Sequence, residues 1–350
     1  MKEIFTSIRG RRSWKFLIIC SLLIGFFWLL TFGRRGAMKG FTDSKSFVAV
    51  REDGYPPESK QTYKSQPFQR PTLRKNDGPV CNLCDPLADM VIVQENFERM
   101  DQFDPRLIGY VRARYVIPPP PRSKPYNLID PDPSHHKSEF GNLIRKLYKD
   151  KKGGVFLEAG SNDGEGNSHT LDLEMNLEWS GLLVECNPKI IDKLKNAGRR
   201  AWLATVCLST SSHPQVLKMS IPLEWDSARL GPSWNVAEAG RISNWTSMEV
   251  EAVPLYTVLA AVGLKVIDYM SLDIEGFELP VLKIFPFDKV TIKVLVFEIH
   301  FYTTEEKQEL KQLLERNSLL FVKRFDYDEI YVHESILTEY GVTLEYLTKL

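Results

Sequence analysis

From Phe140 onward, the apolar positions of the chain switch between two periods. Phe140, Leu143, Ile144, Leu147 and Tyr148 recur at i, i+3, i+4, i+7 and i+8, which predicts an amphipathic helix. Val155-Phe156-Leu157 is a short apolar run closed by Glu158 and a glycine-bearing loop, which predicts a strand over 155–159. The same reading predicts helices over about 167–178, 189–197, after Pro254, over 277–285 and over 304–316. It predicts further strands over 181–184, 202–207, 266–272, 293–299, about 319–325 and 328–332. Strands alternating with helices imply an α/β fold with a doubly wound, mostly parallel sheet. Ligands of such sheets sit at the carboxyl ends of the strands.

The pattern before Phe140 is different. Pro118 to Pro121, with Pro125, Pro131 and Pro133, mark an extended boundary. Met90 to Tyr115 carries helix-like spacing through Val91, Phe97, Leu107, Ile108 and Val111, so 90–139 reads as a Pro-rich extension docking on the domain 140–350. Residues 33–89 are rich in Lys, Ser, Gln, Pro and Gly and read as a flexible stem. Within the domain, 220–248 reads as a long insertion holding Trp225, Trp234 and Trp245, which either pack as a small core or stack on a sugar.

Phe16 to Phe32 carries no charge, and at roughly 17 residues it reaches the lower limit for a membrane span. Arg12 and Lys15 precede it, and Arg34 and Arg35 follow it. The reading is an uncleaved signal anchor at 16–32, rather than a cleaved signal, set in the lipid bilayer behind a cytosolic tail of 1–15. The body would then be lumenal, and the sequon Asn244-Trp245-Thr246 would be a glycosylation site.

Composition narrows the function classes. The chain has 350 residues, 43% hydrophobic and 11% aromatic, as in globular proteins. Its formal net charge of +0 gives no basic field, so no nucleic-acid partner is expected. Cys186 and Cys207 fall in apolar runs and read as buried inert thiols. Cys81 and Cys84 form a lone C-x-x-C, read as a lumenal disulfide or two free thiols, and no metal site is expected.

The candidate chemistry lies at the strand ends. Gly160-Ser161-Asn162-Asp163-Gly164 lacks both the G-x-G-x-x-G form and a Lys-Ser/Thr pair, which points to a nucleoside without phosphate. Glu185 is placed to accept ribose hydroxyls. The loop is expected to offer N–H groups to a carboxylate, and Asp163 to take an ammonium. Ribose, carboxylate and ammonium without phosphate describe S-adenosylmethionine. Asp273 ends a further strand, giving three strand-end acids with Glu158 and Glu185.

VFLEAGSNDGEGNSHT, LLVECNP, YMSLDIEGFELPVLKIFP and VLVFEIH, in this order over about 140–335, resemble the FkbM-type methyltransferase domain. The segments DPRLI, YVIPP and WSGLLVE, with the N-terminal anchor, further resemble Star-type membrane proteins, which help export EGF-receptor ligands. The resemblance implies that Glu158, Gly160, Asn162, Asp163, Gly164 and Glu185 form the cofactor side. It implies that Asp273, Glu275 and His300 form the reaction side. A helix cap competes for Glu275, and a hydrogen-bonded core role competes for His300. Two functions follow from the resemblance. One is a type II membrane protein of endoplasmic reticulum, Golgi and endosomes that assists vesicle-mediated transport of transmembrane growth-factor cargo. The other is an active S-adenosylmethionine-dependent methyltransferase acting on a sugar hydroxyl or another lumenal acceptor.

Overall fold

The computed structural model describes residues 86–222, 228–230 and 245–350. The expected tail, anchor and most of the stem lie outside these residues, as do Cys81, Cys84, Trp225, Trp234 and Asn244. Among the described residues, no helix is long and apolar enough to cross a membrane.

The first half of the described chain runs α1 (Pro86–Asn96), α2 (Pro105–Arg114), β1 (Val116–Ile117), α3 (Glu139–Leu147), β2 (Val155–Ala159), α4 (Leu171–Leu177), β3 (Ser180–Val184), α5 (Ile191–Ala197) and β4 (Trp202–Ala204). Next come β5 (Cys207–Leu208), β6 (Gln215–Pro222), β7 (Arg229–Leu230), β8 (Trp245–Val253), α6 (Leu255–Val262), β9 (Val266–Ile267), β10 (Tyr269–Leu272) and α7 (Glu278–Lys283). The chain closes with β11 (Thr291–Ile292), β12 (Val294–Glu298), α8 (Thr304–Arg316), β13 (Leu319–Phe325), β14 (Asp328–His333), α9 (Ser335–Tyr340) and α10 (Leu344–Thr348).

Eight strands form the main sheet in the order β1-β4-β3-β2-β10-β12-β14-β13. The central five, from β4 to β12, run parallel. β1, β14 and β13 pair antiparallel at the edges. The winding leaves β2 towards β3 and β4, then returns to β10 on the other side. That reversal makes a topological switch point at the β2–β10 exits, where doubly wound sheets bind ligands.

Period-2 alternation sends neighbouring side chains to opposite faces. Phe156 and Leu183 enter one core with α3 residues Ile144 and Leu147. Leu157 and Leu182 enter the other with α6 residues Val258 and Leu259. The expected extension docks on this second face. Leu107, Tyr110 and Val111 of α2 are buried there, and Arg112 Nη1 donates to the Ala261 carbonyl at 2.9 Å. Asp104 caps α2, with Pro105 at its first position. α1 begins at Pro86, inside the stretch expected to be stem.

Three expected elements are corrected. The strand over 266–272 is two strands, divided at Asp268. The Asp268 N–H donates to the Val155 carbonyl (2.8 Å), and its carboxylate accepts from the Val155 N–H (3.0 Å). Its backbone thus joins the main sheet, while β9 pairs with β11 instead. The strand over 202–207 also divides. β4 stays in the main sheet and β5 pairs with β8. Finally, the flanks of the 220–248 insertion form an antiparallel β6–β8 ribbon, with Ile221 opposite Thr246, inside a separate four-stranded sheet.

Candidate functional site

Register sets the site. Val184 pairs with Ala159, Ala159 with Leu272, and Leu272 with Phe297. The next residue on each strand therefore falls in one row: Glu185, Gly160, Asp273 and Glu298. A cleft of about 210 Å3 opens over the Glu185, Gly160 and Asp273 part of this row. Glu158, Gly160, Asn162, Glu185, Asp273 and Glu275 line it, with an apolar flank of Ile190, Val206, Leu208 and Met219.

Six of the nine expected catalytic and cofactor residues thus reach one cleft. Asp163, Gly164 and His300 do not line it. His300 is exposed, with its ring 4.5 Å from that of Tyr327. Asp163 turns away from the cleft and closes its own turn. Its Oδ1 accepts from the N–H groups of Glu165 (3.0 Å) and Gly166 (2.8 Å).

The glycine loop corrects an expectation. Its N–H groups were expected to meet an anionic ligand, but each is taken. Gly160 and Ser161 donate to the Val184 carbonyl, and Gly164 donates to the Ser161 carbonyl. The Asn162 N–H donates to Glu185 Oε2 at 2.9 Å, and the Asp163 N–H to Asn162 Oδ1 at 2.7 Å. Asn162 itself sits at a φ of 47, in the left-handed region. Gly160 has a φ of 80, and a Cβ there would fall 1.7 Å from the Asp273 carbonyl oxygen. Only glycine lets the two loops approach so closely.

Glu158 is not in the row. It lies one residue inside its strand end and is 4% exposed. Its carboxylate accepts from Ser168 Oγ (2.9 Å), Thr170 Oγ1 (2.5 Å) and the His169 N–H (2.8 Å). Arg199, which sequence reasoning missed, completes this knot. It is 4% exposed and donates to the Gly164 carbonyl (2.6 Å), Ser168, Thr170 and Glu174. No local pattern flags Arg199, because its partners are 25 to 35 residues away.

Glu185 is held by three backbone donors: Cys186 and Asn187 at 2.8 Å on Oε1, and Asn162 at 2.9 Å on Oε2. Burial raises its pKa, and these donors oppose the rise. A carboxylate has about four acceptor directions, so room remains for one more donor. Cys186 and Cys207 are not the inert thiols expected. They form a disulfide, with Cα atoms 4.9 Å apart, and both line the cleft.

The other half of the row is crowded with acids. Asp273, Glu278 and Glu298 each bring a carboxyl oxygen within 4.8 Å of the others. No metal site was expected from the sequence, yet this oxygen-only trio has the chemistry of a hard-cation site. The Asp273 side chain is exposed to the cleft. Desolvation by the protein packed behind it, then Glu275 and Asp328, push its pKa up to about 7. Burial pushes Glu278 up to about 7, and burial with Asp273 and Glu275 pushes Glu298 to about 9. Glu298 ends the last parallel strand, and that position was the available signal for it.

Comparison with known proteins follows this geometry. A family model described as the methyltransferase FkbM domain matches residues 158–332. No curated protein matches the chain. Among solved structures, the chain is similar to precorrin-6y C5,15-methyltransferase from Geobacter metallireducens, at 11% identity over 55% of this chain and 85% of that one, with a TM-score of 0.29. It is similar to a human methyltransferase 10 domain containing protein, at 11% identity over 71% and 96%, with a TM-score of 0.31. It is also similar to the Podospora anserina methyltransferase PaMTH1, solved bound to SAH, at 12% identity over 73% and 99%, with a TM-score of 0.28.

Proposed function

The chain belongs to the methyltransferase FkbM domain family, and from that premise we propose that it is an active O-methyltransferase acting on a hydroxyl of a sugar or similar acceptor. Family membership makes S-adenosylmethionine the cofactor. The cleft fits that group in kind. It joins an apolar flank of Ile190, Val206 and Leu208, suited to a purine ring, to Glu185 with one acceptor direction left for a hydroxyl.

The observation that carries the reading is Asp273. Its carboxylate borders the cleft at the switch point, and its pKa stands at about 7. When bound, the cofactor supplies an electrophilic methyl group. The chain supplies the proton acceptor. A hydroxyl becomes a competent nucleophile as its proton leaves, and a base works best when its pKa lies near the operating pH. Asp273 meets that condition, and Glu298 beside it keeps its own proton at neutral pH. Methyl transfer should therefore rise as pH passes upward through about 7, because Asp273 must be ionised to accept the proton.

The test uses labelled S-adenosylmethionine, a panel of sugar and other hydroxyl acceptors, and the variant Asp273→Asn. The expected outcome is transfer by the wild type, a rate lower by about 10²–10⁴-fold in the variant, and cofactor binding retained in both. Cofactor binding with no transfer to any acceptor class by the wild type would sink the enzymatic reading.

One observation favours a further reading about location. The Cys186–Cys207 disulfide suits an oxidising compartment, which supports a lumenal body behind the anchor at 16–32. A Star-type role in cargo transport is compatible with that location. Its support is the sequence segments alone. A glycosidase-sensitive mass shift at Asn244 tests the location. An unglycosylated Asn244 facing the cytosol in membrane preparations would count against it.

A further inference from the structure

The loop Asp273–Gly276 lines the cleft through Asp273, Ile274 and Glu275, and it holds an unusual conformation. Glu275 has a φ of 59 and Gly276 a φ of 92, so two successive residues sit in the left-handed region. A chain does not settle there by local preference, and the surroundings must hold it. The element that does so is outside the cleft. Glu278 is fully buried. Its Oε1 accepts from the Ile274 N–H at 2.7 Å and the Gly276 N–H at 3.3 Å. Its Oε2 accepts from the Tyr302 hydroxyl at 2.5 Å, and the Tyr302 oxygen accepts from the Leu279 N–H at 3.0 Å. Tyr302 follows the β12 exit, so the pair ties the Asp273 loop to the segment that carries Glu298.

We propose that Glu278 and Tyr302 form a positioning pair, which clamps the backbone of Asp273–Gly276 from behind and so sets where the Asp273 carboxylate stands in the cleft. The proposal deepens the methyl-transfer reading and rests on it. Neither residue lines the cleft, so neither is a catalytic group. A buried carboxylate that accepts two amides of one short loop constrains that loop's shape, whereas a general stabilising role would place its partners anywhere in the core. The tyrosine hydroxyl is the third donor. Without it, one carboxylate oxygen is buried without its partner, and the clamp loosens.

Three substitutions separate the roles. Tyr302→Phe removes one hydroxyl and keeps the ring. Glu278→Gln keeps an amide oxygen for Ile274 and Gly276. Glu278→Ala removes the clamp. Amide hydrogen exchange on the full chain reads the loop without any ligand. Expected are faster exchange at 274–276 in Tyr302→Phe and fastest in Glu278→Ala, partial rescue in Glu278→Gln, and unchanged protection in β2, β3 and β12. Acceptor kinetics read the consequence. Expected is a kcat lower by about 10–100-fold in Tyr302→Phe, with cofactor affinity within about twofold of the wild type.

Wild-type exchange rates at 274–276 in both Tyr302→Phe and Glu278→Ala would overturn the proposal. So would exchange that rises across the whole sheet in step with a lowered melting temperature, since that is a structural role only. If the wild type transfers no methyl group, the methyl-transfer reading fails. Exchange then decides the clamp alone.

Discussion

The two sides of the switch point, at the cleft and just behind it, are built from the same kind of residue and treat it differently. On the β2–β3 side, acids are surrounded by donors. Glu158 has three and Glu185 has three, and Arg199 ties their loop to α4. On the β10–β12 side, Asp273 and Glu298 lie near each other and near Glu278. Glu278 has three donors of its own. Like charges add to the rise at Asp273 and Glu298, whose pKa values climb to about 7 and 9. Donors oppose the rise that burial imposes on a carboxylate, as at Glu185, while neighbouring like charges add to it, as at Asp273 and Glu298. The first side is therefore a hydrogen-bonded wall, and the second holds the proton acceptor proposed above, Asp273. A strand-end acid has no fixed meaning until its donors are counted.

The largest test of this contrast is Arg199→Ala. It leaves Glu174 buried with its guanidinium partner gone and strips donors from the loop wall. Chemical denaturation should show a loss of about 3–5 kcal/mol. A loss under about 1 kcal/mol would mean that the wall does not depend on the knot. Next in size is Cys207→Ser, which opens the link between the β3 exit and β5. Across a sequence separation of 21, it should cost about 3 kcal/mol in non-reducing buffer. Dithiothreitol should bring the wild type down to the variant, and a wild type indifferent to reductant would show that the bond adds nothing.

The smallest effect is on the acid side. Glu298 has a folded pKa of about 9, above that of an unfolded glutamate. Its contribution to stability is full below the unfolded value and is lost as pH rises through about 9. Wild-type stability should thus decline between pH 7 and 9, and Glu298→Gln should decline less over the same window. Parallel melting curves across that range would contradict the contrast drawn here.

Much of this was legible in the chain. The helix over 304–316 stands where the sequence reading expects it, and Thr303 and Glu306 close its start with a reciprocal capping box. The strand 155–159 and its glycine loop are equally local signals. The misreadings share one cause. The run Val266–Leu272 reads as one mostly apolar strand, but Asp268 within it bonds to Val155, and only that partner shows where it divides. The run 202–207 divides because β5 finds β8, which lies more than forty residues on. Cys186 and Cys207 look like inert apolar residues until β3 and β4 lie side by side. Periodicity reports how a residue faces its own element, and says nothing of which strand arrives on the other side.

By itself, the sequence determined the alternating elements, the tight glycine turn and the acids at the strand ends, because these depend on backbone preference and on neighbours a few residues away. The tertiary structure alone decided what those features do. It consumed the N–H groups of 160–164, joined the two cysteines, brought Glu298 beside Asp273 and set Glu278 behind the loop. Each depends on strand register, and register is chosen by how whole faces of the sheet bury their apolar side chains.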